Sequence, residues 1–135
     1  MAKLSNFRTD TAKETEGVWV DYSEGIRFKI ARWNNREFRR FLEKLARPNT
    51  RAFRKAGGRR GELWDSLIKQ AAAKYVLLGW ENVDDDGGKP IKYSPDKALE
   101  ILSDPELSAI WEFVCEAALD EAMYLQEDGE DAEKN

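Results

Sequence analysis

The chain contains no histidine, one cysteine, two methionines and four prolines among its 135 residues. Each scarcity removes a class of chemistry. Without histidine there is no Ser-His-Asp triad, no Cys-His pair and no imidazole metal site. A lone Cys115 forms neither an internal disulfide nor a thiolate zinc centre. No run approaches the 18 or so apolar residues of a membrane-spanning helix. The opening residues MAKLSNFRTDTAKETEG lack the apolar core of a signal peptide, so a cytoplasmic location is expected. Against these absences stand five Trp, six Phe and four Tyr, too much aromatic content for a disordered chain. The length suits one domain with one real core.

Charge is segregated along the chain. Residues 27–60 carry thirteen basic and two acidic side chains, whereas residues 61–135 carry six basic and nineteen acidic ones. Three readings follow: the blocks neutralise one another within the fold or between subunits, the basic block meets an acidic partner or nucleic acid, or the acidic end is a solvated tail. Internal compensation requires the blocks to lie within about 8–10 Å of one another, because screening removes the attraction beyond that.

The pattern predicts an α+β fold, mainly α-helical, with an N-terminal β-hairpin packed on a small helical bundle. Residues 1–16 are polar and read as a flexible lead-in, 17–125 as a single globular domain, and 126–135 as an acidic flexible tail. Apolar and polar residues alternate over Val18–Tyr22 and Ile26–Ile30, around the turn-forming Ser23-Glu24-Gly25, which marks the hairpin 17–32. Val18, Val20, Ile26, Phe28 and Ile30 fall on its buried face. Helices are predicted over about 36–47, 62–78, 95–102 and 105–125. Asn34 or Asn35 caps the first and Pro48 stops it; Gly79 caps the end of the second; Ser94-Pro95 and Asp104-Pro105 open the last two. Between the first two helices runs a basic connector, PNTRAFRKAGGRRG.

No catalytic, cofactor-binding or metal-binding residues emerge. Asn82, Asp84, Asp86 and Gly87 fill the early positions of a calcium loop, but Tyr93 stands where the bidentate Glu belongs, and the segment reads as a turn. The glycines at 57, 58 and 61 lack the spacing of a phosphate loop. Glu112 and Glu116 lie on a charged helix face and read as solvation; Cys115 reads as core, with acidic neighbours that raise its pKa. In the basic block Phe38 and Phe41 fit a helix core better than a base-stacking platform, and no DNA- or RNA-binding signature is present. Trp64 and Trp111 fit core stripes, while Trp19, Trp33 and Trp80 fall at edges or loops.

The stretch Leu78-Gly79-Trp80-Glu81-Asn82-Val83, the Asp/Gly loop, Gly88-Lys89-Pro90-Ile91-Lys92-Tyr93-Ser94-Pro95, and then Ala98–Leu102 and Asp104–Leu107 resemble small tail-morphogenesis proteins of long-tailed bacteriophages. These are described as tail assembly chaperones. The resemblance covers about residues 26–125 and is strongest over 78–107. It implies a mostly helical, non-enzymatic protein without cofactors, which binds the tape-measure protein in the host cytoplasm and keeps it soluble until the tail forms. It also implies a tendency to self-associate. The GWENV and KPIKYSP stretches would be fold determinants. Under this reading the candidate partner contacts are Trp80, Trp111, Arg51, Arg54, Arg59 and Arg60, and a client helix would lie along the stripe of residues 107–122. A nucleic-acid-associated accessory role for 27–60 and a structural head-tail or tail role within the virion are the alternatives.

Overall fold

The computed structural model describes residues 2–127, so the acidic tail falls, but for its first two residues, outside the described residues. The chain is α+β and mainly helical. An antiparallel sheet is built from β1 (Val18–Asp21), β2 (Arg27–Ile30) and β3 (Leu77–Glu81) in the order β1-β2-β3. Among the described residues six α-helices accompany it: α1 (Thr11–Glu16), α2 (Arg36–Ala46), α3 (Thr50–Ala56), α4 (Arg60–Tyr75), α5 (Pro95–Ser103) and α6 (Ser108–Leu119).

The hairpin forms as its alternation predicts. Val20 pairs with Phe28 and Val18 with Ile30; Phe28 and Ile30 are buried, while Asp21 and the Trp19 ring face outward. The turn needs left-handed backbone at Glu24 and Gly25, with φ of 55° and 83°. Two strands alone are marginal, and β3 supplies the third. It begins two residues after α4 and pairs Phe28 with Trp80 and Lys29 with Gly79. Gly79 is therefore a strand residue, not the helix cap its position suggested, and helix α4 ends at Tyr75, not at 78. The Trp19 ring lies across the bare Cα of Gly79, 3.8 Å from where a side chain would begin.

Helix α4 is the centre of the bundle, with α2 and α5 against it. Ala71, Ala72 and Ala73 are all buried, so this part of the helix is enclosed on more than one side, and small residues allow that close approach. Polar side chains fix the joints. Asn35 caps α2 by accepting from Phe38 N at 3.0 Å; it also donates to Arg32 O at 2.8 Å and to Tyr75 O at 2.9 Å, tying the start of α2 to the end of α4. The Tyr93 hydroxyl donates to Leu77 O at 2.6 Å, where α4 gives way to β3.

Three further expectations are corrected. Residues 11–16 are not a flexible lead-in but form α1, capped by Asp10. The segment docks through backbone bonds, Asp10 N to Tyr124 O at 2.7 Å and Arg32 N to Glu14 O at 2.9 Å. Such bonds leave no apolar period in the sequence. Pro48 does not stop the helical path: it stands at the start of a 3-10 turn, Arg47–Asn49, where a missing N–H costs nothing, and α3 follows directly. Finally, no single helix spans 105–125. Pro105–Leu107 is a 3-10 turn, α6 stops at Leu119, and Asp120 caps a second 3-10 turn, Glu121–Tyr124. That break turns Tyr124 inward, fully buried, with its hydroxyl donating to Ile30 O at 3.0 Å.

Candidate functional site: a cationic helical arm

Helix α3 and the turns on either side of it form an arm that packs mainly on the start of α4. Between Glu43 and Glu62 lie seven cations and no acid. Arg47, Arg51, Arg54, Lys55, Arg59 and Arg60 are all exposed. Arg59 approaches Glu62 at 3.6 Å and Arg60 donates to Phe53 O at 3.3 Å. Among the described residues, the ion pairs that join the basic block to the acidic one are Arg27–Glu81 and Arg59–Glu62. Among the described residues, neutralisation of one block by the other through direct contact is therefore slight.

The arm also carries unsealed apolar surface. Trp64 is 41% exposed, although its place in the α4 stripe predicted a core residue. Its ring meets Phe53 with centroids 5.8 Å apart and planes at 60°. An open groove of about 600 Å³ runs along this pair, lined by Ala46, Thr50, Phe53, Arg60, Gly61 and Trp64. A smaller one of about 180 Å³, lined by Arg39, Leu42, Glu43, Ala46 and Trp64, adjoins it through the shared Ala46 and Trp64. Trp64 is exposed because the start of α4 extends beyond the buried part of the helix, where the short α3 and the end of α2 leave its ring partly uncovered.

Of the residues singled out from the sequence, the arm brings together Arg51, Arg54, Arg59 and Arg60. The two tryptophans lie elsewhere. Trp80 is 9% exposed, in β3; its Nε1 donates to Ile91 O at 2.7 Å and its ring stands edge-on to Tyr93 at 5.0 Å. Expected at an edge or in a loop, it lies on the edge strand β3, but pairing with β2 puts the side chain in the core and corrects its reading as an exposed partner contact. Trp111 is half-buried, edge-on to Trp33 at 6.1 Å and covered by the Lys69 ammonium at 5.6 Å. The stripe expected to receive a client helix is sealed in the middle, where Val114 and Ala118 are fully buried, while Leu107 at one end and Leu119 and Ala122 at the other are exposed. Phe53 and Trp64 are not among the contacts expected from the sequence. The signal that could have found them is two aromatics in or beside an acid-free cationic stretch.

The remaining candidates behave as structural groups. In the acidic loop Asp85 accepts from Gly87 N and Lys89 N, both at 2.9 Å, which is turn chemistry. Burial is the main force raising the Cys115 thiol to about 11; Lys69 pulls it down and Asp65 pushes it up, so Asp65 is the acidic neighbour that matters. No helix among the described residues is long and apolar enough to cross a membrane.

A family model described as YdaY prophage protein matches residues 33–135, from three residues before α2 onward. The chain belongs to the YdaY prophage protein family. A phage origin, implied by the resemblance over 78–107, is thereby established, and the matched region contains the whole arm. Comparisons with curated proteins and with solved structures gave no match.

Proposed function

We propose that the protein is a non-enzymatic phage tail assembly chaperone, which binds the tape-measure protein in the host cytoplasm and holds it soluble during tail morphogenesis. The observation that carries this reading is the Phe53–Trp64 notch, left open to solvent and fringed with exposed cations. A holdase needs accessible apolar surface, protected from self-aggregation by charge. The prophage family and the resemblance to tail-morphogenesis proteins support the same reading.

Magnitudes suit a transient contact. Covering the exposed two-fifths of Trp64, about 100 Å² of ring, gains about 2–3 kcal/mol, and the client's own buried surface adds a like amount. Lost translational and rotational freedom takes back much of that. One arm therefore holds a client weakly, and charge sets orientation and on-rate. Weak holding lets the client leave when the tail tube forms.

The direct test is co-expression with the tape-measure protein of the same prophage. The soluble fraction of that protein should rise and the two should co-purify; no rise and no co-purification would refute the reading. Mass spectrometry of finished particles separates a chaperone, which is absent, from a structural tail protein, which is retained. The seven cations without an acid favour one competing reading, a nucleic-acid accessory protein. It predicts a DNA mobility shift whose logarithmic salt slope is steep, whereas the chaperone reading predicts a slope near zero.

A further inference from the structure

We propose that the groove between the α2–α3 run and the first turn of α4 is a docking site for one acidic amphipathic α-helix, taken here, on the chaperone reading, to be a segment of the client. Its occupant is defined by shape and by charge.

The shape is that of a helix seat. On the α2–α3 side the lining residues are 39, 42, 43, 46, 50 and 53; apart from the neighbours 42 and 43 they fall three or four apart along a nearly continuous helical path, and Gly61 and Trp64 face them from α4. The result is a trough between two helical walls rather than a round pocket. Its aromatic feature is the angle between Phe53 and Trp64. Rings inclined at 60° make a notch that takes a branched aliphatic side chain, whereas a base-stacking surface needs an open ring face. Gly61 has no atom within 4 Å of where its side chain would be, so nothing fills the trough floor there.

Charge selects the sign of the occupant. Arg39 and Arg60 line the trough, and Arg54 stands exposed next to Phe53 on α3. Glu43 is the one acid on the lining. A phosphate backbone laid along the whole trough would meet that carboxylate, whereas a helix with separate Glu and Lys positions accommodates it. An apolar stripe flanked by Asp or Glu therefore fits better than a nucleic acid strand.

The test uses the whole protein and fluorescein-labelled peptides of about 18 residues, long enough for five helical turns. One has a leucine stripe with Glu flanks, a second the same stripe with Lys flanks, and a third is a scramble of the first; a labelled oligo-dT is the fourth probe. Anisotropy titrations at about 50 and about 300 mM salt read affinity and its screening. The Glu-flanked peptide should bind about tenfold or more tighter than the other three at low salt, and weaken as salt rises. Trp64→Ala and the double variant Arg54→Glu/Arg60→Glu, both checked for unchanged far-UV circular dichroism, should each lower its affinity about tenfold or more. If either fails this check, Trp64→Tyr and Arg54→Gln/Arg60→Gln replace it and should give smaller losses in the same direction. Equal binding of the Lys-flanked or scrambled peptide, tighter binding of oligo-dT, or affinity unmoved by the variants overturns the inference. Co-expression separates the two levels. If the wild type solubilises the tape-measure protein and the double variant does so equally well, the chaperone reading stands and the groove assignment falls. If the wild type solubilises nothing yet binds the Glu-flanked peptide through Trp64, the reading falls and the groove assignment stands.

Discussion

Alanine at position 80 should cost much more stability than alanine at position 64, although both remove a tryptophan. Trp80 is 9% exposed, donates to Ile91 O at 2.7 Å and packs edge-on to Tyr93. Deleting such a ring removes transfer energy and leaves a cavity, about 3–5 kcal/mol, and the lost hydrogen bond adds about 1 kcal/mol. The total, about 4–6 kcal/mol, is a large part of the 5–15 kcal/mol typical of a domain. Trp64 is 41% exposed and its aromatic neighbour is Phe53 alone, so its removal should cost about 1–2 kcal/mol. Urea unfolding followed by far-UV circular dichroism reads the difference. A gap of about 3 kcal/mol, at a slope of about 1.5 kcal/mol per molar urea, separates the two midpoints by about 2 M. Equal midpoints, or a lower one for Trp64→Ala, would refute the assignment of Trp80 to the core and Trp64 to the surface.

Three further outcomes are expected. Gly17→Ala should destabilise by about 1–3 kcal/mol and by more than Gly25→Ala, since both have φ near +80° but only at Gly17 would a new methyl group meet Ile30 and Leu78 at 3.1 Å; thermal melts that rank the two the other way contradict the packing there. Asn35→Ala should cost about 2–4 kcal/mol through the lost cap and an unmet carbonyl at Tyr75, and Asn35→Asp should not restore it, because a carboxylate cannot donate to Arg32 O and Tyr75 O; full recovery in Asn35→Asp by urea unfolding would show that these two bonds contribute nothing. The Cys115 thiol, raised from 9.0 to about 11, should react with iodoacetamide at pH 8 about a hundred times more slowly than an unperturbed thiol. Its raised value means that the folded state holds the proton more tightly. The stability this gives is complete below pH 9 and lost as pH rises from 9 towards 11, so wild type should lose stability relative to Cys115→Ser across that window, and parallel pH profiles would contradict it.

Elements made by local rules were legible from the residues. Alternation and Ser23-Glu24-Gly25 marked the hairpin, and Ser94-Pro95 marked the start of α5, whose cap bond from Lys97 N to Ser94 Oγ is 3.1 Å. Elements made by partners were not. Strand β3 follows α4 without a turn signal, and Leu77-Leu78 continues the helical period; only pairing with β2 makes it a strand. The stop after Leu119 was hidden because Ala122 keeps the apolar period, while the decisive event is Asp120 accepting from Ala122 N. Helix α1 docks by main-chain bonds and by the charged side chains Lys13 and Glu14, neither of which leaves an apolar period. The cationic arginines of the arm were legible as a charge block. The aromatic half of the site was not, since periodicity says which face of a helix is apolar and not how far along its length the core extends.

A photo-crosslinking amino acid at position 64, in cells assembling the phage, tests the central claim most directly. Helix-in-groove holding at the arm predicts a crosslink from position 64 to the tape-measure protein, and none from the same probe placed at exposed Glu112 on α6. Crosslinks to nucleic acid from position 64, or crosslinks to the tape-measure protein from 112 and none from 64, would contradict it.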